Sequence, residues 1–321
     1  MISIIIPVYN VGDYIENCLI SIFRQTYIQF EIIIVDDGST DNSHDLCLAF
    51  KDKYSTIDIS IIRKLNEGVT AARRDGVKIA KGDWVTFVDA DDSLPEKALE
   101  CLIAEVDSDV NIIIGAHNEQ YEDGSCDFIS NKFLGKVNSK KYISLFLLGK
   151  VEGAPWAKLF RRNIIKDSIF DLPWDIKNKE DIIMNLRIAV SQNQRVILVN
   201  KPVYNYLTNR ENSALTLYKH SFNLDYEIRI LDYMTSALEN GGLFKKYKKE
   251  IAVWYLINVW GWRKKFGYIS KDQRLTIKYL CDFVLVNNLS ILSLMKVSVV
   301  YFLLLLKHSS SYLSENNNLR I

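Results

Sequence analysis

The chain has 321 residues, of which 48% are hydrophobic, and a formal net charge of +1. That length supports one large domain or a domain with a helical extension, and the near-neutral balance argues against a nucleic-acid binder. Charge is unevenly spread: residues 1–100 hold 10 Lys and Arg against 17 Asp and Glu, whereas residues 241–280 hold 10 against 2, so the two ends are expected to meet different partners. Five scattered cysteines (Cys18, Cys47, Cys101, Cys126, Cys281) without CxxC spacing fit reduced thiols and exclude a disulfide framework or zinc site. The four histidines form no metal-spaced pair. The chain opens on a strand without a basic n-region, so no signal peptide is expected.

In chain order, residues 2–8, 32–35 and 85–88 are continuous apolar runs, the pattern of parallel strands buried on both faces. Between the first two, Tyr14, Ile15, Cys18, Leu19, Ile22 and Phe23 recur at helical spacing. Asp41, Asn42 and Ser43 offer N-caps for a second helix running to about Lys53. Residues 57–63 read as a third strand and 68–81 as a third helix. This alternation predicts an α/β sheet with right-handed crossovers. Pro95 opens a helix to about Val106, and Val110–Ala116 reads as a strand followed by a turn at Asp123-Gly124. Helices are expected at 139–148 and 181–192, with two strands at 196–199 and 203–207. From about Ser213 the chain reads as mostly helix, which places a domain boundary at 212/213 and a mainly helical region over 213–321.

Ligands of such sheets bind beyond the carboxyl ends of the strands, where the polar clusters fall: Tyr9-Asn10, Asp36-Asp37-Gly38-Ser39, Asn66-Glu67-Gly68 and Asp89-Ala90-Asp91-Asp92. The last follows the apolar run 84–88. Carboxylates this close repel one another unless a positive charge sits among them, and a divalent cation with hard oxygen ligands is the usual answer. Asp89 and Asp91, two residues apart, share a face if the strand continues. Asp92 or Ser93 suits a cap for the helix after Pro95.

Several ordered motifs carry a family resemblance. They are Ser3-Ile4-Ile5-Ile6-Pro7-Val8-Tyr9-Asn10, Gln25-Thr26-Tyr27, Glu31 through Asp41, Asn66-Glu67-Gly68-Val69 with Ala72-Arg73, Gly82-Asp83-Trp84 leading into Asp89–Asp92, Trp156-Ala157-Lys158-Leu159, and Glu180-Asp181. Together, over about residues 2–215, they resemble the family 2 glycosyltransferases. The resemblance implies a GT-A nucleotide-diphospho-sugar transferase fold, with a mostly parallel central sheet flanked by helices and a C-terminal helical extension. It implies Asp91 as ligand of Mg²⁺ or Mn²⁺, Asp89 on the ribose or donor sugar, Asp37 on the nucleobase, Tyr9 against base or ribose, and Pro7 and Val8 lining that pocket. Arg73 would reach the diphosphate or nucleobase, and Asp181 would be the general base. Trp156, Lys158 and Glu180 fall on the acceptor side. Residues 206–213 depart from the family's basic, Gly-Ser-containing segment, although Arg210 or Ser213 could still touch the diphosphate.

The implied reaction is metal-dependent, inverting transfer from a nucleotide-sugar, expected to be a UDP-sugar, to a hydroxyl of a lipid-linked saccharide in bacterial surface-polysaccharide assembly. An alternative keeps the fold but uses a polyprenyl phosphate, which needs no general base. A nucleotidyltransferase would require a Gly-rich triphosphate loop near the first strand, which residues 7–12 lack; a non-catalytic nucleotide-sugar-binding protein would not need Asp181. In the tail, Lys245, Lys246, Lys248 and Lys249 precede Trp254, Trp260 and Trp262, and Ile251, Trp254, Tyr255, Asn258 and Trp262 fall largely on one helical face. Basic residues beside Trp suit the surface of an anionic membrane, so a cytoplasmic enzyme with peripheral contact at the inner face of the plasma membrane is expected. Residues 297–306 form an uninterrupted apolar run of ten, about half the ~20 needed to span a bilayer, so a packed or interfacial helix is expected there.

Overall fold

The computed structural model describes residues 1–121, 123–208, 224–251 and 254, and the chain divides into two compact units, Met1–Ser221 and Phe222–Ile321. The first unit is built on one sheet in the order β3-β2-β1-β4-β8-β5-β9-β7, with β6 on β5. Strands β1 (Ile2–Val8), β2 (Phe30–Asp36), β3 (Asp58–Arg63) and β4 (Trp84–Phe87) form its parallel half. Every residue of β1 is buried, as expected of a strand covered on both faces. Helices α1 (Ile15–Phe23), α2 (Ser43–Lys53) and α3 (Val69–Ile79) supply the crossovers. The polar clusters seen in sequence therefore emerge together beyond the carboxyl ends of β1, β2, β3 and β4.

Beyond β4 the sheet becomes mixed. Strand β8 (Lys158–Arg161) lies antiparallel between β4 and β5 (Val110–Gln120). It is absent from the sequence reading because only Leu159 and Phe160 of its four residues are apolar. Strand β9 (Arg195–Leu207) runs parallel to β5, and β6 (Cys126–Ile129) and β7 (Gly135–Val137) pair antiparallel with β5 and β9. The two strands expected over 196–207 are one. Pro202, which cannot donate to a ladder, is absorbed where the β5–β9 register shifts opposite Ala116. The helix expected from Pro95 is shorter, α4 (Ala98–Ile103), while α5 (Ser139–Leu147) and α6 (Glu180–Val190) lie close to expectation. The Gln25-Thr26-Tyr27 motif ties α1 to the start of α4: Gln25 Nε2 donates to the Pro95 carbonyl at 2.8 Å, and its Oε1 accepts from Leu99 N at 3.0 Å.

In the second unit, α7 (Leu224–Asn240) ends at a turn with Gly242 at φ +65, and residues 244–251 are again helical. Ile230, Leu231, Met234 and Leu238 are buried. Ile251 and Trp254, the members of the proposed tail face among the described residues, are buried too. The expected boundary at 212/213, Arg210, Ser213, the remaining tail aromatics and the 297–306 run lie outside the described residues. Among those described, no helix is long and apolar enough to cross a membrane.

Candidate functional site

At the end of β1, Pro7 and Val8 are buried and Tyr9 is 49% exposed. The turn that follows is laced to the loop after β2. Asn10, at φ +50, accepts from Thr40 N at 2.8 Å, its own N–H donates to Ser39 Oγ at 3.1 Å, and Val11 N donates to Ser43 Oγ at 2.9 Å. This lacing holds the two loops side by side, with Tyr9 exposed at the end of β1.

The two aspartates that end β2 have separate tasks. Asp36 is fully buried; its Oδ1 accepts from Ser39 N at 2.9 Å, and Oδ2 lies 3.0 Å from His44 Nδ1 and 3.3 Å from Arg63 Nε. Asp37, also buried, accepts from Glu67 N at 3.0 Å and from Gly68 N at 2.7 Å. Each of its oxygens thus holds the loop that starts α3, and each retains a lone pair. Burial raises the Asp37 carboxyl above its ordinary range, although both amides and Lys64 pull the other way.

Arg73 extends from α3 into the interior and is 3% exposed. Its Nη2 donates to Asp89 Oδ1 at 2.9 Å, and Nη1 lies 3.8 Å from Glu180 Oε1. Its Nε and Nη1 have no hydrogen-bond acceptor. One guanidinium therefore meets carboxylates from the end of β4 and the start of α6, more than ninety residues apart in the chain.

Glu180 and Asp181 begin α6, where acidic side chains favour the helix dipole. Lys179 enters the helix at φ +66, and Ile182 N donates to Asp181 Oδ1 at 2.7 Å. Burial raises both carboxyls above the ordinary range. For Asp181 the Glu180 charge adds to the rise, and Arg73 opposes it in both.

The acidic loop sorts its members by direction. Asp89 and Asp91 are half-buried and Asp92 is buried. Asp92 does not cap a helix, as the sequence suggested: α4 begins after Lys97, and both oxygens of Asp92 are drawn to β9. Its Oδ2 accepts from Tyr204 Oη at 2.7 Å, and Oδ1 accepts from Leu207 N at 2.8 Å. Burial, then Asp91 and Asp89, hold the Asp92 carboxyl well above the ordinary range. The same three acids raise the Cys18 thiol and the Tyr206 hydroxyl after burial itself.

Among the described residues, no group of three or more His, Cys, Asp or Glu side chains converges into a metal cage. Asp91, a half-buried carboxylate between Asp89 and Asp92 at a strand end, fits a Mg²⁺ or Mn²⁺ ion that would complete its sphere with water and substrate phosphates.

Trp156 and Lys158 are both interior. Trp156 is 6% exposed and stacks on Tyr204, with centroids 4.8 Å apart and planes at 6°, and on Tyr206 at 5.5 Å. His117 meets it edge-on at 4.8 Å. Lys158 is fully buried and its Nζ donates to the Ala154 carbonyl. Burial pushes its amine down to about 8, against the opposing pull of Glu152 and Asp181. Sequence reasoning missed Tyr204. Its strand was legible, but nothing in the local pattern shows a bond to Asp92 across 112 positions.

The protein EpsH of Bacillus subtilis, named as a candidate glycosyltransferase, is 28% identical over 80% of this chain and 74% of its own length. A poly(ribitol-phosphate) beta-glucosyltransferase of Bacillus spizizenii is 33% identical over 67% of this chain and 33% of its own. The poly(ribitol-phosphate) beta-N-acetylglucosaminyltransferase TarS of Staphylococcus aureus is 26% identical over 88% of this chain and 49% of its own. The chain thus spans a third to a half of the longer relatives. A crystal structure of S. aureus TarS 1–349 in complex with UDP superposes with a TM-score of 0.66 at 21% identity, covering 88% of this chain and 80% of that one. The mannosyltransferase PcManGT of Pyrobaculum calidifontis, solved with GDP-Man and Mn²⁺, superposes at 0.53 and 16% identity, covering 97% and 82%. These likenesses establish the fold, a mixed α/β sheet flanked by helices of the GT-A kind. The model for glycosyl transferase family 2 matches residues 3–168, just over half the chain, and the chain belongs to that family.

Proposed function

We propose that the protein is an inverting, metal-dependent transferase. It moves a sugar from a UDP-sugar to a hydroxyl of a saccharide acceptor, lipid-linked, in bacterial surface-polysaccharide assembly. The observation that carries the reading is Arg73, whose guanidinium lies 2.9 Å from Asp89 and 3.8 Å from Glu180. It joins the donor loop to the helix start that bears Asp181.

Tyr9 and the remaining lone pairs of Asp37 face the nucleoside, with Pro7 and Val8 beneath. Asp89 receives the ribose or donor sugar. The Nε–H of Arg73, which has no hydrogen-bond acceptor, suits a phosphate oxygen. Asp91 holds the divalent cation, which when bound supplies positive charge against the departing diphosphate. Asp181 takes the proton of the acceptor hydroxyl as its oxygen bonds to the anomeric carbon and the bond to the diphosphate breaks. One in-line displacement inverts that carbon. TarS, solved with UDP and UDP-GlcNAc, supports the donor class.

The test is UDP release from a panel of UDP-sugars, with bacterial lipid extract as acceptor, by wild type, Asp91→Ala and Asp181→Asn, with and without EDTA. The reading expects loss with EDTA, loss in Asp91→Ala that Mn²⁺ does not restore, and a fall of about 10²–10⁴-fold in Asp181→Asn. Unchanged turnover in Asp181→Asn, with a sugar phosphate ester as product, would sink it in favour of a polyprenyl phosphate acceptor.

A further inference from the structure

The acidic loop is fixed from behind by groups outside the donor chemistry. Tyr204 on β9 is 1% exposed. Its hydroxyl accepts from Asp89 N at 3.0 Å while donating to Asp92 Oδ2 at 2.7 Å. The other Asp92 oxygen accepts from Leu207 N at 2.8 Å, and Ser93 and Asn205 exchange backbone hydrogen bonds at 3.2 and 2.9 Å. Asp92 N closes a turn onto Asp89 O at 3.0 Å. The Tyr204 ring is itself pressed flat on Trp156. Asp91 thus sits between two anchored points, Asp89 and Asp92, both held by one phenol.

We propose that Tyr204 and Asp92 are positioning residues that preset the Asp89–Asp91 loop for the cation and diphosphate, and that Asp92 itself is not a ligand. Both Asp92 oxygens are bonded to β9, so turning one outward would break a buried hydrogen bond and leave a polar group unpaired. Holding the loop beforehand removes the ordering cost that binding would otherwise meet. Stacking on Trp156 fixes the phenol without any further polar contact. The role explains why so polar a hydroxyl is buried at the back of the site. The inference rests on Asp91 being the residue that meets the cation.

The test uses the full chain and Tyr204→Phe, which keeps the ring on Trp156 and deletes the oxygen. Mn²⁺ affinity is measured directly by the electron paramagnetic resonance signal of free Mn²⁺, with UDP present. Amide hydrogen exchange is followed over residues 89–93. Losing two hydrogen bonds of ordinary strength predicts Mn²⁺ binding weaker by about tenfold, with faster exchange confined to the loop. Asp92→Asn is expected to weaken Mn²⁺ to a similar degree and to add little on top of Tyr204→Phe, because the two act through one network. Asp91→Ala is the control: if it binds Mn²⁺ like wild type, the metal assignment fails. If Asp91→Ala loses Mn²⁺ while Tyr204→Phe and Asp92→Asn bind it normally, the bracing role is overturned. Should Tyr204→Phe fail to fold, Asp92→Asn decides by the same two readouts.

Discussion

Replacing Arg73 by Ala isolates the contact on which the site turns. The guanidinium is buried, 2.9 Å from one carboxylate and 3.8 Å from another. At an effective dielectric of about 20 those separations correspond to roughly 4–6 kcal/mol of attraction each. Desolvation offsets much of that, and breaking a buried pair from one side typically costs about 3–5 kcal/mol. Asp89 keeps 28% side-chain exposure, so its share is screened and the lower part of that range is expected. For a unit of this size the loss lowers Tm by about 6–15 °C. The sign of its pH dependence follows from the carboxyls left behind. Burial already raises Glu180 and Asp181 above their unfolded values, and Arg73 holds the rise back. Without Arg73 they rise further, so ionising them in the folded state is penalised at neutral and higher pH. The penalty vanishes as pH falls through the raised values toward the ordinary carboxylate range. Thermal unfolding of wild type and Arg73→Ala between pH 8 and pH 4.5 therefore expects a Tm gap that is widest at pH 8 and narrows steadily. A gap that is constant over this range, or below about 2 °C throughout, would refute the bridging role.

A general base works only when ionised, and the Asp181 carboxyl is raised, by burial first and Glu180 second. The wild-type kcat/KM should thus climb with pH along a limb above the unperturbed Asp value of about 3.9; Asp181→Asn should lack that limb, and a wild-type limb at or below pH 4 contradicts the assignment. On β5, a Cβ at Gly115 would lie 2.1 Å from Val203 Cγ2, so Gly115→Ala is expected to cost about 1–3 kcal/mol by overpacking, read as a lower urea midpoint with unchanged slope, and Gly115→Ala with Val203→Ala should recover part of it.

The parallel half of the sheet was legible because β1, β2 and β4 are apolar on both faces and are punctuated by Gly, Asn and Asp at their carboxyl ends. Burial and turn chemistry there are local, so local pattern suffices. The mixed half was less legible. Strand β8 is four residues long and carries a buried Lys158, a residue type almost never fully buried without a partner; its partner is the Ala154 carbonyl, set by the turn before the strand. The two strands expected over 196–199 and 203–207 are one because the register shift that tolerates Pro202 between them belongs to the pairing with β5, not to β9 alone. The nearness of Glu180 to Asp89 likewise depends on how α6 is placed by the whole unit. The family motifs marked both acids, yet only the fold sets them on one guanidinium.

The fate of the three loop carboxylates shows how such a cluster is resolved without cancelling its charge. A run of acids at a strand end has two inexpensive exits, an internal cation or hydrogen-bond donors that favour the ionised form. Asp89 takes the first through Arg73, while Tyr204 and Leu207 bond both oxygens of Asp92 and only partly offset the burial and neighbouring acids that hold its carboxyl well above the ordinary range. Both compensations draw their side chains toward the protein, one to α3 and one to β9. After burial itself, Asp92, Asp91 and Asp89 still raise the Cys18 thiol and the Tyr206 hydroxyl. Asp89 and Asp92, held to α3 and β9, fix the backbone on either side of Asp91. Asp92→Asn should accordingly weaken Mn²⁺ binding about as much as Tyr204→Phe, which leaves every carboxyl of the loop in place, and a much larger loss in Asp92→Asn would mark a direct role for its carboxyl instead of a bracing one.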